Sequence, residues 1–244
     1  MTQDINQIWV YLSASPLLGL TITLLAYQGA FWIYQRTGNN PLANPVLIAV
    51  SVLVIFLTLT ATSYETYFAG AQFVHFLLGP ATVALAIPLY TQFKRVRSML
   101  LPVIAGLLAG SMTAIVSAVM VARLLGASTS TQLSLAPKSV TTPIAMGIAE
   151  RIGGIPSLTA VLVIVTGILG AVGARYVFDA MKIRDPAIRG FAIGVASHGI
   201  GTARAFQVSE QSGAFAALAM GMNGALTALL VPGIAGWLVS CCAH

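Results

Sequence analysis

No charged side chain occurs between Asp4 and Arg36, and comparable apolar runs recur to the end of the chain. A run of about 20 such residues crosses the ~30 Å hydrocarbon core of a bilayer as one helix. Only 7% of the 244 residues are charged and 57% are hydrophobic; a soluble domain carries about 25% charged residues. A chain this poor in charge cannot cover a sphere of its size with polar surface. A cytosolic enzyme, a disordered chain and a disulfide scaffold are excluded. Long charge-free runs also oppose a transmembrane barrel, whose strands are short and alternating. The sequence predicts an all-α integral membrane protein of about eight hydrophobic segments, in one transmembrane domain over residues 1–244.

The formal net charge is +6. The basic residues sit in short groups between apolar runs, the pattern that orients membrane proteins, so nucleic acid is not an expected partner. Cys241 and Cys242 are adjacent at the tail, with no His/Cys cluster at metal spacing; no metal or cofactor is expected. The N-terminus carries Asp4 and lacks a basic region, unlike a signal or transit peptide.

The segments run from about Trp9 to Ile33, Val46 to Thr62, Ala69 to Tyr90, Met99 to Leu125, Leu133 to Ala149, Ile155 to Phe178, Gly190 to Val208 and Gly213 to Val239. Gly79-Pro80 and Pro88 interrupt the third, and Ser63 to Phe68 before it resembles an interfacial belt. The fifth is short and holds Pro137 and Pro143. The link with Lys94, Arg95 and Arg97 and the link with Lys182, Arg184 and Arg189 are both basic, which places both on the cytoplasmic side. Three segments separate them. One must therefore enter and return without crossing, and the proline-broken fifth is the candidate. The fourth and sixth spans then run in opposite directions, as in transporters built from inverted repeats. Pro80-Ala81-Thr82-Val83 also matches Pro137-Lys138-Ser139-Val140 at an offset of 57 residues, as Gly110 matches Gly167 and Ala114 matches Ala171. The repeat units expected from this are 64–125 and 126–185.

Irregular backbone at membrane depth is tolerated only inside protein or along a water-filled cavity. Prolines at 80, 137 and 143 free backbone groups, and the N-terminal ends of half-helices carry partial positive charge. Thr82, Ser139, Thr141 and Thr142 add hydroxyls, and Lys138 adds a full charge; together these suit a small carboxylate. The second cluster runs from Ser197 through His198, Gly199, Ile200 and Gly201 to Thr202, Ala203 and Arg204. Its glycines permit unwinding, His198 can move a proton, and the Arg204 fork matches a carboxylate. Snorkelling to headgroups is the alternative for Arg204, and His75 reads as packed or interfacial. Glu150 could pair with Arg151 or Lys138, or carry a coupling proton. The expected substrate-binding set is Pro80, Thr82, Lys138, Ser139, Thr141, Thr142, Pro143, Ser197, His198, Gly199, Thr202 and Arg204. No Walker loop, dinucleotide fingerprint, nucleophile elbow or HExxH is present, and each candidate region holds a single acid, so an enzyme is not expected.

The run Pro137-Lys138-Ser139-Val140-Thr141-Thr142-Pro143-Ile144-Ala145-Met146, followed by Ile152-Gly153-Gly154-Ile155-Pro156, resembles the LrgB/CidB family of bacterial membrane proteins. Gly167-Ile168-Leu169-Gly170-Ala171, Ser197-His198 with Gly201 to Arg204, Leu78 to Ala86, Pro88 to Tyr90, and Tyr64 with Tyr67-Phe68 match it in order. The resemblance covers about Asn44 to Met220. It implies a multi-pass protein of the bacterial inner membrane, and the transit peptide and extra N-terminal domain of plastid relatives are not expected. Two functions are implied: transport of small monocarboxylates, as in relatives that resemble glycolate and glycerate exporters or are connected with pyruvate uptake, or antiholin-like modulation of murein hydrolases and autolysis. The expected partners are a small carboxylate, the lipid bilayer, a second copy of the chain and a small LrgA/CidA-type membrane protein.

Overall fold

The computed structural model describes residues 16–240, without the side chains of Pro16, His75, Leu78, Thr82 and residues 235–240. Asp4, the start of the first segment at Trp9, and Cys241-Cys242 lie outside the described residues, as does the His75 side chain. Among the described residues every regular element is helical. The helices are α1 (Pro16–Arg36), α2 (Pro45–Leu59), α3 (Tyr64–Phe76), α4 (Leu78–Ala84), α5 (Ala86–Thr91), α6 (Phe93–Ser98), α7 (Leu100–Leu124), α8 (Thr129–Leu135), α9 (Thr142–Ile152), α10 (Pro156–Ala180), α11 (Pro186–Val208) and α12 (Glu210–Ser240). Five stretches are long and apolar enough to cross a membrane: Leu17–Arg36, Tyr64–Thr91, Leu100–Leu124, Pro156–Ala180 and Glu210–Ile234. Pro45–Leu59 is a shorter apolar helix. The chain is a multi-pass, all-α membrane protein.

Two compact units divide the chain at Ala84 and Leu85. In the first, α1 lies against α3 so closely that a Cβ on Gly19 would meet the Tyr67 carbonyl. Thr23 and Tyr67 share a hydroxyl–hydroxyl hydrogen bond of 2.7 Å there. The helical run over residues 64–91 is interrupted at Leu77 and Leu85, each three residues before a proline. A proline ring has no N–H to donate and crowds the preceding turn, which is why the breaks precede Pro80 and Pro88.

The second unit holds two stretches of chain that turn back on themselves, one within α11 and one made of α8 and α9. Its direction is set by contacts whose numbering rises together. Gly106 faces Phe191 and Gly110 faces Val195, and Ser111 bonds Asn223. The first half of α11 and the whole of α12 therefore run with α7. A Cβ on Gly190 would overlap the Ser212 carbonyl, and one on Gly194 the Ala216 carbonyl, so small residues let α11 and α12 touch backbone to backbone. The second half of α11 runs the other way. Gly213 packs on Phe206, and Thr202 and Gly199 reach Met220. The reversal occurs at Ser197 and His198, whose φ/ψ of −131/16° and 41/−137° are not helical. Gly201 returns to Ile193, eight residues earlier, a separation of about 12 Å in a straight helix. So α11 is a re-entrant hairpin with limbs 186–196 and 199–208.

Residues 129–152 form the second hairpin. From α7 the chain turns at Gly126 and enters through α8. It bends over residues 136–141 and leaves through α9, which runs with α12 as Ile144 meets Gly224. Gly153, at φ 85°, ends α9 in the left-handed conformation that glycine adopts without strain. Then α10 starts back, its first turn pinned to α8 by Ile155 N–H to Ser134 Oγ (2.7 Å) and Thr159 Oγ1 to Ser134 O (3.0 Å). Thus α7 and α10 are antiparallel, and the basic links before α7 and after α10 share one face. Arg95 and Asp185, one from each link, are joined by an ion pair of 2.6 Å. The 129–152 hairpin enters from the opposite face and the 186–208 hairpin from the link face, so the pair is inverted. Ile115, Val119, Ala136, Val140, Ala145, Ile148, Val163 and Val231 form the main buried cluster around the first hairpin.

Candidate functional site

The two hairpins meet at their tips. Each returning or entering limb of 11 residues, 142–152 and 186–196, is about 16 Å long. Together they account for the ~30 Å of a hydrocarbon core, which puts both tips near its middle.

The side chain that joins the tips is Asn223 of α12, 1% exposed. Its Nδ2 donates to the carbonyl of Ser139 (3.4 Å) in the first tip and to that of Val195 (3.0 Å) beside the second. Its Oδ1 accepts from Ser111 Oγ of α7 and from Thr227 Oγ1 (3.4 Å). The amide's two donors and two acceptor positions are all used. Sequence reasoning passed over Asn223; the one signal for it was a polar amide in the middle of an otherwise apolar span.

His198 forms the second tip. It is 4% exposed, and its ring lies on α10, where a Cβ on Gly167 would meet Cε1 and Nε2. Because a carbonyl only accepts, His198 Nε2 carries the hydrogen it donates to Val163 O at 2.9 Å. Ser197 occupies the space that a Cβ on Gly170 would need. The sequence Gly167-x-x-Gly170 is thus the socket for the tip, and the non-glycine left-handed backbone at His198, costing about 1–3 kcal/mol, is held by it. Thr202 Oγ1 returns a bond to the His198 carbonyl (2.8 Å), and Gly199 opens the second limb next to Met220.

In the first tip Ser139 is buried and Lys138 half-buried, with Lys138 Nζ donating to Ser139 Oγ at 3.3 Å. Through Asn223, the structure holds the Lys138–Ser139 tip beside Val195, two residues before the Ser197–His198 reversal. Thr141 and Thr142 are half-buried at the start of α9, and Pro143 is exposed. Thr141 is the N-cap of α9 but makes no side-chain cap bond, and Pro143 lacks an N–H. Two half-helices, α9 and the second limb of α11, thus begin at the tips, each bringing the positive end of its dipole.

Arg204 is not part of this cluster. It donates to Gln207 Oε1 (3.1 Å) and lines a separate cavity toward the link face, with Arg175 and Arg189. Six residues of helix past the tip carry it about 9 Å away. Pro80 and Thr82 belong to α4 of the first unit. Pro80 is exposed, and the Thr82 side chain lies outside the described residues. Among the described residues no group of three or more His, Cys, Asp or Glu could hold a metal ion.

The LrgB-like family matches residues 23–237. A Bacillus subtilis (strain 168) protein named "Uncharacterized protein YwbG" is 38% identical over 216 residues, 88% of this chain and 96% of that one. Proteins named "Antiholin-like protein LrgB" from Bacillus mycoides (strain KBAB4) and Bacillus cereus (strain B4264) are 30% identical over 219 residues, 89% of this chain and 95% of each of theirs. No solved structure matches the chain. With a family match that takes in both hairpins and the helices around them, the chain belongs to the LrgB-like family.

Proposed function

We propose that the chain carries small monocarboxylates of the glycolate, glycerate or pyruvate class across the bacterial inner membrane by alternating access. One observation carries this reading: two inverted re-entrant tips meet near mid-membrane beside Lys138, with two half-helix N-termini there. Helix dipoles and an ammonium are what a carboxylate needs once it has left water. Each hairpin enters from one face only. Withdrawing one tip opens the site to that face and leaves the other tip as the barrier. The charge rule orients the link face toward the cytoplasm.

The names of the relatives favour a second reading. Proteins at 30% identity are named antiholin-like, and on that reading this chain modulates murein hydrolase activity and autolysis with a small LrgA/CidA-type membrane partner. Flux in liposomes holding the purified chain alone separates the two. Uptake of labelled pyruvate, glycolate or glycerate should saturate and be competed by unlabelled analogues. No saturable flux for any of the three, or leakage of unrelated solutes, would remove the transporter reading and leave the modulator.

A further inference from the structure

A cavity of about 190 Å³ near the link face is lined by three arginines and no carboxylate. The arginines come from three places: Arg175 from the end of α10, Arg189 from the first limb of α11 and Arg204 from the second. Arg189 is fixed. It donates to Asp179 and to the Ile183 carbonyl (2.6 Å), and its guanidinium lies 5.6 Å from the Phe178 ring centre. Arg175 lies 3.7 Å from Asp179, and its side chain is 60% exposed. Orienting a membrane protein requires basic residues on one face but does not require them to converge on one cavity, where like charges repel. Asp179 meets Arg189 and lies near Arg175, which leaves three cations against one carboxylate, and a bound anion offsets that excess.

The anion's class follows from depth and from the rest of the wall. Arg175 is five residues from the end of α10 at Ala180, about 8 Å along the axis, which is where hydrocarbon gives way to headgroups. Ala171, Ala174, Phe178, Ile193 and Val208 supply the apolar part of the lining, and Ser212 adds one hydroxyl. A small free anion uses only the arginines and the Ser212 hydroxyl, whereas a lipid with a phosphate at one end and hydrocarbon at the other also uses the apolar wall. We infer that this cavity binds the phosphate of an anionic phospholipid from the leaflet at the link face. The headgroup touches α10 and both limbs of the 186–208 hairpin at once, so it sets the spacing of the limbs that carry the Ser197–His198 tip. This assignment is independent of what the tips carry.

Native mass spectrometry and thermal melting of the whole protein in nanodiscs, with phosphatidylcholine alone or mixed with phosphatidylglycerol, test it. Phosphatidylglycerol should be retained in preference and raise the melting temperature. Arg175→Gln with Arg204→Gln should weaken that retention by about fivefold for each arginine removed. The paired Lys variants keep the charge and should keep much of the preference, which separates loss of the site from misfolding. Arg151→Gln, at the opposite end of the unit, should change nothing. Equal retention of the two lipids, retention unaffected by the double Gln variant, or inorganic phosphate bound saturably and not displaced by phosphatidylglycerol would overturn the inference.

Discussion

Asn223 donates to two carbonyls that no other described side chain serves, one at each tip. Asn223→Leu keeps the branched shape with some added volume and leaves both without that donor. A buried carbonyl without a partner costs about 1–3 kcal/mol in water-soluble proteins, and bonds between membrane helices average about 0.6 kcal/mol. The expected loss is therefore roughly 1–3 kcal/mol, read as a lower melting temperature in detergent. Asn223→Asp should lose more, because its carboxylate presents an acceptor to both carbonyls. A Leu variant that melts like the parent would mean that the tips are held by packing alone. Lys138 calls for a different measurement. If its ammonium meets the substrate in a site closed to water, Lys138→Met removes a charged partner worth roughly 3–5 kcal/mol. Affinity for the labelled carboxylate should then fall by at least about two orders of magnitude, with melting little changed. Parental transport by Lys138→Met would take Lys138 out of the site.

At the scale of elements, α10 provides its own control. Gly167, Gly170 and Gly173 lie on one helix, and an added Cβ has a different fate at each. At Gly167 it meets the His198 ring, at Gly170 the Ser197 side chain, and at Gly173 nothing within 4 Å. Overpacking a close contact costs about 1–3 kcal/mol, whereas Gly→Ala in an open helical position gains roughly 0.5–1 kcal/mol. Gly167→Ala and Gly170→Ala should lower the melting temperature and impair transport by displacing the tip, and Gly173→Ala should raise it. Equal effects at the three positions would mean that the socket does not position the tip. The reversal in α11 was only partly legible in the sequence. Its glycines suggested unwinding, but the turn falls on Ser197 and His198, which have no preference for it. The packing against α10 imposes it.

At the scale of the whole molecule, the two hairpins make a topology prediction. In a variant lacking Cys241 and Cys242, single cysteines at Ser128 and Gly153 should react with an impermeant reagent from one face. Cysteines at Lys182 and Gln207 should react from the other. If α8 and α9 crossed the bilayer, the first pair would separate, and if α11 crossed it, the second would. Reaction of either pair from opposite faces contradicts the inverted arrangement. The Arg95–Asp185 pair, its side chains 40% and 36% exposed, is worth about 0–1 kcal/mol as a partly exposed ion pair. It marks where the links lie and does little to hold them.

Hydropathy and charge determined the membrane class, the positions of the apolar segments, the common face of the two basic links and the return of the fifth segment. These properties follow from the cost of placing charge and unpaired backbone in hydrocarbon, and that cost is paid residue by residue along the chain. Tertiary structure decided the rest. Whether residues 190–208 cross or return depends on Gly167 and Gly170, which are distant in sequence and are seen as a socket only once α10 and α11 are packed. Asn223 gains its role from carbonyls contributed by two other elements. Arg204, read as part of the carboxylate site because it shares a segment with His198, is carried toward the link face once that segment folds back. Adjacency in sequence placed these residues in one cluster, and the reversal at His198 placed Arg204 in another cavity, with Arg175 and Arg189.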